Sequence, residues 1–260
     1  MPQPFAHNPI GGSFIELQSV DSTNNYARRL VHEGVAEHGM VIFAHEQIAG
    51  KGQRSKTWLS EKGANIIMTV ICKPNPLKVS DQFQLSMMTA VTAQNFLAEY
   101  TEESVYIKWP NDLYYKDRKA GGILIESVIG QQSAVSAWQW AIIGIGININ
   151  QTTFPSELPN PVSLKQITGK DFDTVLLAKE LCNCLEKYFQ QLITGNFESI
   201  FSQYNSCLYK KDKKVKLKKG NRVFEVTIKN VSPSGKLIVQ HGIEEELDFG
   251  DVEWVIEKVK

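Results

Sequence analysis

The chain lacks an excess of either charge: Lys+Arg and Asp+Glu stand at 28 each. No global field therefore draws it to nucleic acid or to an anionic membrane, and a charge-driven partner must be met by a local patch. Long apolar runs are also missing. The longest, Trp138 to Ile149, is broken by Gln139, Gly144, Gly146 and Asn148 and is too short to span a bilayer. Met1 to Ser13 has no basic stretch followed by an apolar core, so no secretory signal is expected. Cysteine is scarce, and Cys72, Cys182, Cys184 and Cys207 fit no metal-ligand spacing. Cys182 and Cys184 are two apart, which puts them on different faces of a helix. Reduced thiols in a cytoplasmic protein are the expectation, with a redox pair the alternative. The histidines (His7, His32, His38, His45, His241) are scattered and need no catalytic role; His45 either lines a pocket or simply ends a strand. There is no internal repeat and no Walker loop.

What is present is enough for a sizeable core: 260 residues, 42% hydrophobic and 22% charged. Asp21 and Ser22 read as caps for a helix over Asn24 to Glu33. Met40 to Ala44 and Ala64 to Cys72 read as strands, the second apolar on both faces and hence buried. Ser80 reads as the N-cap of a helix running to about Tyr100. Strands are expected over Val105 to Trp109, Gly122 to Ile129 and Ser136 to Ile149. Ser163 to Gly169 reads as a short capped helix and Phe172 to Ile193 as a long one. After about Ser206 the pattern changes to short alternating strands at Lys214 to Lys218, Val223 to Ile228, Lys236 to Gln240 and Glu246 to Phe249. Turn signals at Ser232 to Gly235 and at His241-Gly242 separate them. The expectation is an α+β catalytic unit with a mixed sheet over 1–206 and a small β-barrel over 207–260.

Three segments concentrate glycine and polar residues within apolar surroundings. In Gly50 to Trp58, alternate glycines let backbone N–H groups converge on an anion, and Lys51, Arg54 and Lys56 add charge. A solvated turn fits that pattern about equally well. In Lys108 to Leu113 a strand ends at Pro110, which cannot donate to a ladder, leaving Asn111 and Asp112 at the strand end. Lys119 then precedes the pair Gly121-Gly122; a hairpin with a charged tip is the plainer interpretation. In Gly144 to Asn150, Gly144 and Gly146 leave a gap on one strand face that Asn148 continues, or mark a bulge.

In this order, with Asp21-Ser22-Thr23-Asn24 and Gln47 upstream, the segments resemble the signature set of the biotin–protein ligases. The resemblance spans residues 21 to 150, and the tail is similar to that family's SH3-like C-terminal domain. It implies a class II synthetase-like fold and a two-step reaction: biotin is activated by ATP and Mg²⁺ as biotinyl-5'-AMP, then passed to a lysine of a biotin carboxyl carrier protein. Residues resembling the biotin side are Ser22, Thr23, Asn24, Gln47, Gly50, Lys51, Gly52, Gln53, Lys119, Gly122, Gly144 and Gly146. Those resembling the ATP side are Arg54, Lys56, Trp58, Asn111 and Asn148. Lys119, Asp112 and Arg54 are implied at the chemistry: Lys119 between the biotin carboxylate and the α-phosphate, Asp112 as base or orienter of the acceptor amine. No resident protein metal site is implied. A homodimer formed at a sheet edge is common in the family and is the expectation here.

Departures from the familiar loop are Lys51 and Gln53 in place of arginines and Ser55 in place of glycine. Lys51 keeps charge without the bidentate fork of arginine, and Gln53 loses a cation. Few residues precede Asp21, so a repressor domain and direct DNA binding are not expected. Within the same fold the alternative is a lipoate–protein ligase, whose Arg-Arg-x-Ser-Gly-Gly-type loop is missing. From a different class comes an RNA-binding module on Lys210 to Arg222, where eight basic residues stand against Asp212. A solvated strand face is the usual meaning of such a run. Trp138, Trp140 and Trp254 are expected only to pack.

Overall fold

The structure, a computed structural model, describes residues 8–130 and 137–256. His7, Ser136 and the outermost ends of the two expected units lie outside the described residues. The first unit is built on a seven-stranded sheet of order β1-β2-β3-β7-β6-β5-β4. Its strands are β1 (Phe14–Leu17), β2 (Met40–Ala44), β3 (Asn65–Cys72), β4 (Val105–Lys108), β5 (Asp112–Tyr115), β6 (Arg118–Gly130) and β7 (Ala137–Asn148). β1 runs parallel to β2 and every other neighbouring pair is antiparallel, so the sheet is mixed as expected.

Side-chain alternation divides the sheet between two cores. Val41, Phe43, Val70 and Ile143 face the larger core, against α2 (Gln82–Ala98), α4 (Thr174–Ile193) and α5 (Phe197–Ser206). Met40, Ile42, Ile71 and Ile142 face the smaller core, covered by Ala27, Leu30 and Val31 of α1 (Thr23–His32). With both faces covered, β2 and β3 are buried along their whole length, which is why their sequences are continuously apolar. Ser163 caps the short α3 (Leu164–Thr168) through a reciprocal bond with Gln166, and Gly169 closes it in the left-handed region.

The second sheet has order β11-β10-β9-β8-β12 and is antiparallel throughout, as expected for an SH3-like unit. It comprises β8 (Lys214–Lys219), β9 (Arg222–Val231), β10 (Leu237–His241), β11 (Ile243–Leu247) and β12 (Glu253–Trp254). The segment leading into β8 is bonded to the edge of the first sheet: Ile107 N–H to Cys207 O and Tyr209 N–H to Ile107 O, both 2.8 Å. The Trp109 indole donates to Gly235 O at 2.9 Å.

Several local expectations are corrected. β1, β5, α5 and β12 were not anticipated from sequence. Ser22 occupies the N-cap of α1 but its hydroxyl makes no capping bond; the Thr23 N–H is instead taken by Gln47 Oε1 at 2.7 Å. Ser80 lies inside a 3₁₀ turn over Val79–Asp81, and α2 starts after Asp81. β6 begins at Arg118, because pairing with β5 continues straight through the hairpin. β11 begins at Ile243 since Gly242, at φ +85°, turns the chain back at once. Phe249 is thereby left out of the ladder and packs edge-on to Trp109.

Candidate functional site

A cavity of about 500 Å³ opens where the Gly50–Trp58 loop, the ends of β4 and β5, the glycine-bearing half of β7 and the second sheet meet. Its walls carry the cations Lys51, Arg54, Lys56, Lys108 and Lys119, against the carboxylates Asp112 and Glu253. Such a cationic, partly apolar hollow suits an anion with an apolar body.

One end is a chain of polar side chains at the start of α1. Gln47 Oε1 takes the Thr23 N–H and lies 3.1 Å from Thr23 Oγ1. Thr69 Oγ1, on β3, lies 2.8 Å from Thr23 Oγ1 and 2.6 Å from Asn24 Oδ1. Asn24 Nδ2 donates to Glu126 at 2.8 Å, and Arg28 donates to the other oxygen of that carboxylate at 2.6 Å. Gly144 makes room for this chain, since a Cβ there would run into the Asn24 amide. The gap foreseen on β7 therefore exists, and Asn24 fills part of it.

The other end is electrostatic. Lys119 Nζ sits 2.6 Å from Asp112 Oδ1, and Lys108 Nζ 3.8 Å from Asp112 Oδ2. Burial acts to raise the Asp112 carboxyl, but the charges of Lys119, Lys108 and Lys56 outweigh it and hold it below its ordinary value. The carboxylate is thus ionised at neutral pH. Lys108 is buried, and desolvation brings its ammonium down to about 8 despite Asp112. Gly122 lies beside the pair, where a Cβ would sit 3.5 Å from Lys119 Nζ.

The loop forms the lid of this end. Lys51 and Thr57 bridge its two arms, and a 3₁₀ turn over Gln53–Ser55 forms its tip. Arg54 is left-handed at φ 53° and lays its guanidinium over Phe249, 4.9 Å from the ring centroid, with Glu253 at 4.0 Å. Trp58 fills the space above Gly146, where a Cβ would lie 2.6 Å from the indole, and Lys119 Nζ is 5.8 Å from its centroid. The indole N–H groups of Trp58 and Trp254, both at the cavity, are buried without a partner among the described residues.

Every site residue expected from sequence borders this cavity except Gly50. Gly50 borders a neighbouring hollow behind Trp58, where its missing side chain leaves room for the Trp58 carbonyl and the Gln47 amide. Asn111 and Asn148 are at the wall, but their amides donate to the backbone carbonyls of Ile123 and Val162. Sequence reasoning missed Lys108, although it stands in the Lys-Trp-Pro-Asn-Asp motif. It also missed Phe249 and Val252, and Trp254 is a wall residue as well as a packing one. His45 is paired with Glu16 at 2.7 Å and does not border the cavity. At least three of the eight cations of the basic run are paired: Lys210, Lys214 and Lys219 meet Asp117, Glu225 and Asp251. All four cysteines are free. No helix among the described residues is long and apolar enough to cross a membrane.

A mixed sheet whose glycines and strand ends frame a cationic cavity, closed by a loop and a second β unit, defines an α+β protein with a cavity of small-molecule size. Residues 16–148 match the Biotin/lipoate A/B protein ligase family, and the chain belongs to that family. Among relatives, it is 32% identical over 195 residues to the bifunctional ligase/repressor BirA of Bacillus subtilis, covering 74% of this chain and 58% of that protein. It is 28% identical over 231 residues to a biotin–[acetyl-CoA-carboxylase] ligase of Paracoccus denitrificans, covering 86% of this chain and 92% of that one. A biotin protein ligase from Aquifex aeolicus, solved in complex with biotin and ATP, superposes with a TM-score of 0.78 at 25% identity, covering 94% of this chain and 99% of that chain.

Proposed function

We propose that the chain is a biotin–protein ligase that forms biotinyl-5'-AMP and transfers the biotinyl group to a lysine of a biotin carboxyl carrier domain. The observation that carries this is the cavity's two-ended chemistry: neutral hydroxyl and amide groups of Ser22, Thr23 and Gln47 at one end, and the Lys119–Asp112–Lys108 cluster at the other. A neutral ureido ring suits the first and a carboxylate meeting a phosphate suits the second. The names of the Paracoccus and Aquifex relatives support the same assignment.

In the first step the biotin carboxylate attacks the α-phosphorus of ATP, a P–O bond forms, and pyrophosphate leaves with its electron pair. Two anions must approach, and Lys119 neutralises both, with Arg54 and Lys56 on the phosphate side. Mg²⁺ enters with ATP as part of the substrate and would offset the charge of the departing pyrophosphate. Among the described residues no cluster of three metal-ligating side chains offers a resident site. In the second step the neutral ε-amine attacks the acyl carbon and AMP departs with the C–O electron pair. The ionised Asp112 orients the amine and accepts its proton. Trp58 packs toward the adenine, Asn111 and Asn148 shape the nucleotide side, and Asn24, Gly122, Gly144 and Gly146 wall the biotin. Gly50, Lys51, Gly52 and Gln53 bring the loop over the acyl-adenylate and exclude water.

The division proposed is a catalytic unit over residues 1–206 and an accessory one over 207–260, in a cytoplasmic protein that associates as a homodimer at a sheet edge. The test is incorporation of labelled biotin into a purified carrier domain with MgATP, comparing wild type with Lys119→Ala and omitting each reagent in turn. Labelling that needs ATP, prefers biotin to lipoate and collapses in Lys119→Ala supports the proposal. Labelling of a lipoyl domain in its place makes the chain a lipoate ligase.

A further inference from the structure

The polar chain beneath the ring end of the cavity has only one consistent assignment of hydrogens at its inner members. The Glu126 carboxylate accepts from Arg28 at 2.6 Å on one oxygen and from Asn24 on the other, so Asn24 turns its Nδ2 to that carboxylate and its Oδ1 to Thr69. Oδ1 also only accepts, so the single hydroxyl hydrogen of Thr69 goes to it. With that hydrogen committed, the 2.8 Å contact between the two hydroxyls is a hydrogen bond only if Thr23 donates, so the Thr23 hydrogen goes inward to Thr69 Oγ1 and a lone pair of Thr23 faces the cavity. Gln47 Oε1 is taken by the Thr23 N–H, so Nε2 is what Gln47 offers a ligand. The wall thus presents an acceptor beside a donor, complementary to the adjacent N–H and C=O of a cyclic urea.

On these grounds we infer that Glu126 is a positioning residue that fixes the hydrogen-bond polarity of Thr23, and so the preference for a urea-bearing ring, from outside the cavity. This rests on the biotin reading above. Glu126 is not among the residues that line the cavity. Thr23, Asn24 and Thr69 are each at most 3% exposed, and burying that many polar groups is costly unless each is paired. Docking α1 on the sheet needs no such chain, because Ala27, Leu30 and Val31 already pack there.

The variant Glu126→Gln is nearly isosteric but lets the new amide donate to Asn24. Asn24 can then turn over, Thr69 donates to Thr23, and the Thr23 hydrogen, released from Thr69, points into the cavity where the wild type presents a lone pair. Biotin binding, read by calorimetry, weakens about tenfold through one lost hydrogen bond, while ATP binding is unchanged. Arg28→Gln removes the ion pair but keeps the carboxylate acceptor, and binds biotin as the wild type does. In a Thr23→Val background the Glu126→Gln effect vanishes, because the group it acts through is gone. Equal weakening of ATP and biotin, equal loss in Arg28→Gln, or additive losses with Thr23→Val would each overturn the inference and leave Glu126 a structural residue. A wild-type chain that binds no biotin overturns the ligase reading and this inference with it, an outcome seen before any variant is compared.

Discussion

Lys119 Nζ meets Asp112 Oδ1 at 2.6 Å across the β5–β6 hairpin, and Lys108 approaches the other carboxylate oxygen from β4. A single carboxylate therefore lies between two cations on three consecutive edge strands. The arrangement keeps Asp112 ionised and holds Lys119 at the mouth of the cavity, with 31% of its side chain exposed.

If Lys119 neutralises the anions that meet during activation, Lys119→Ala slows adenylate formation by roughly a hundredfold or more. ATP-dependent pyrophosphate release with biotin measures it. Asp112→Asn separates the half-reactions: transfer from preformed biotinyl-5'-AMP falls more than adenylate formation does. An equal fall in both would assign Asp112 to holding Lys119 alone.

Lys108 supplies a pH dependence. Its ammonium is brought to about 8 by burial, against 10.5 for an ordinary lysine. Below about pH 8 it is charged in both folded and unfolded chains, and the buried charge costs stability in full. Between about 8 and 10.5 the unfolded chain binds the extra proton, so this cost is relieved as pH rises. Activity runs the other way: as Lys108 discharges, the field around Asp112 and the phosphate site weakens. Adenylation is expected to decline above pH 8, and Lys108→Met to lack that alkaline limb. A limb that persists in Lys108→Met belongs to another group.

The parts of this architecture that were legible in the sequence are those governed by local pattern. β2 and β3 are apolar on both faces because both faces are covered, and their limits were readable to within a residue. The capped helix α3 was readable from Ser163 and Gly169 at its two ends, which are local signals as well. The unread parts are decided by distant partners. Nothing near Ser22 indicates that the first N–H of α1 goes to Gln47, 24 residues on. β1 is four residues long and gains its identity from pairing with β2. The glycines of β7 announced a gap, but not that Asn24 and Trp58 occupy it. Phe249 joins the site only because Gly242 shortens the preceding hairpin.

Gly146→Ala tests how strictly that gap is shaped. The added methyl would sit 2.6 Å from the Trp58 indole carbon and 3.0 Å from its nitrogen, closer than any real contact, so Trp58 has to move. Trp58 is only half-buried and can swing outward, so thermal melting is expected to show a cost of about 1 kcal/mol, at the low end for overpacking. Ligand binding is expected to suffer far more than stability, because the displaced ring forms the cavity wall. A variant that melts much lower yet still forms adenylate would place Trp58 in the packing rather than the site.

Arg54 and Phe249 tie the loop to the second β unit. The guanidinium stacks at 4.9 Å over a ring that is 48% exposed, a contact worth about 0.5–1 kcal/mol. The nearby Glu253 at 4.0 Å is too exposed to add much. Phe249→Ala should therefore open the lid more often without unfolding it. Preformed biotinyl-5'-AMP is then lost to water about two to five times faster, while the rate of its formation at saturating ATP changes little. Arg54→Lys keeps the charge but loses the flat stacking surface, so it should resemble Phe249→Ala, and the double variant should be no worse than either single one. Additive losses would mean that the phosphate needs the bidentate guanidinium itself and not only the charge that lysine keeps, and that the stacking of Arg54 on Phe249 is incidental to closure.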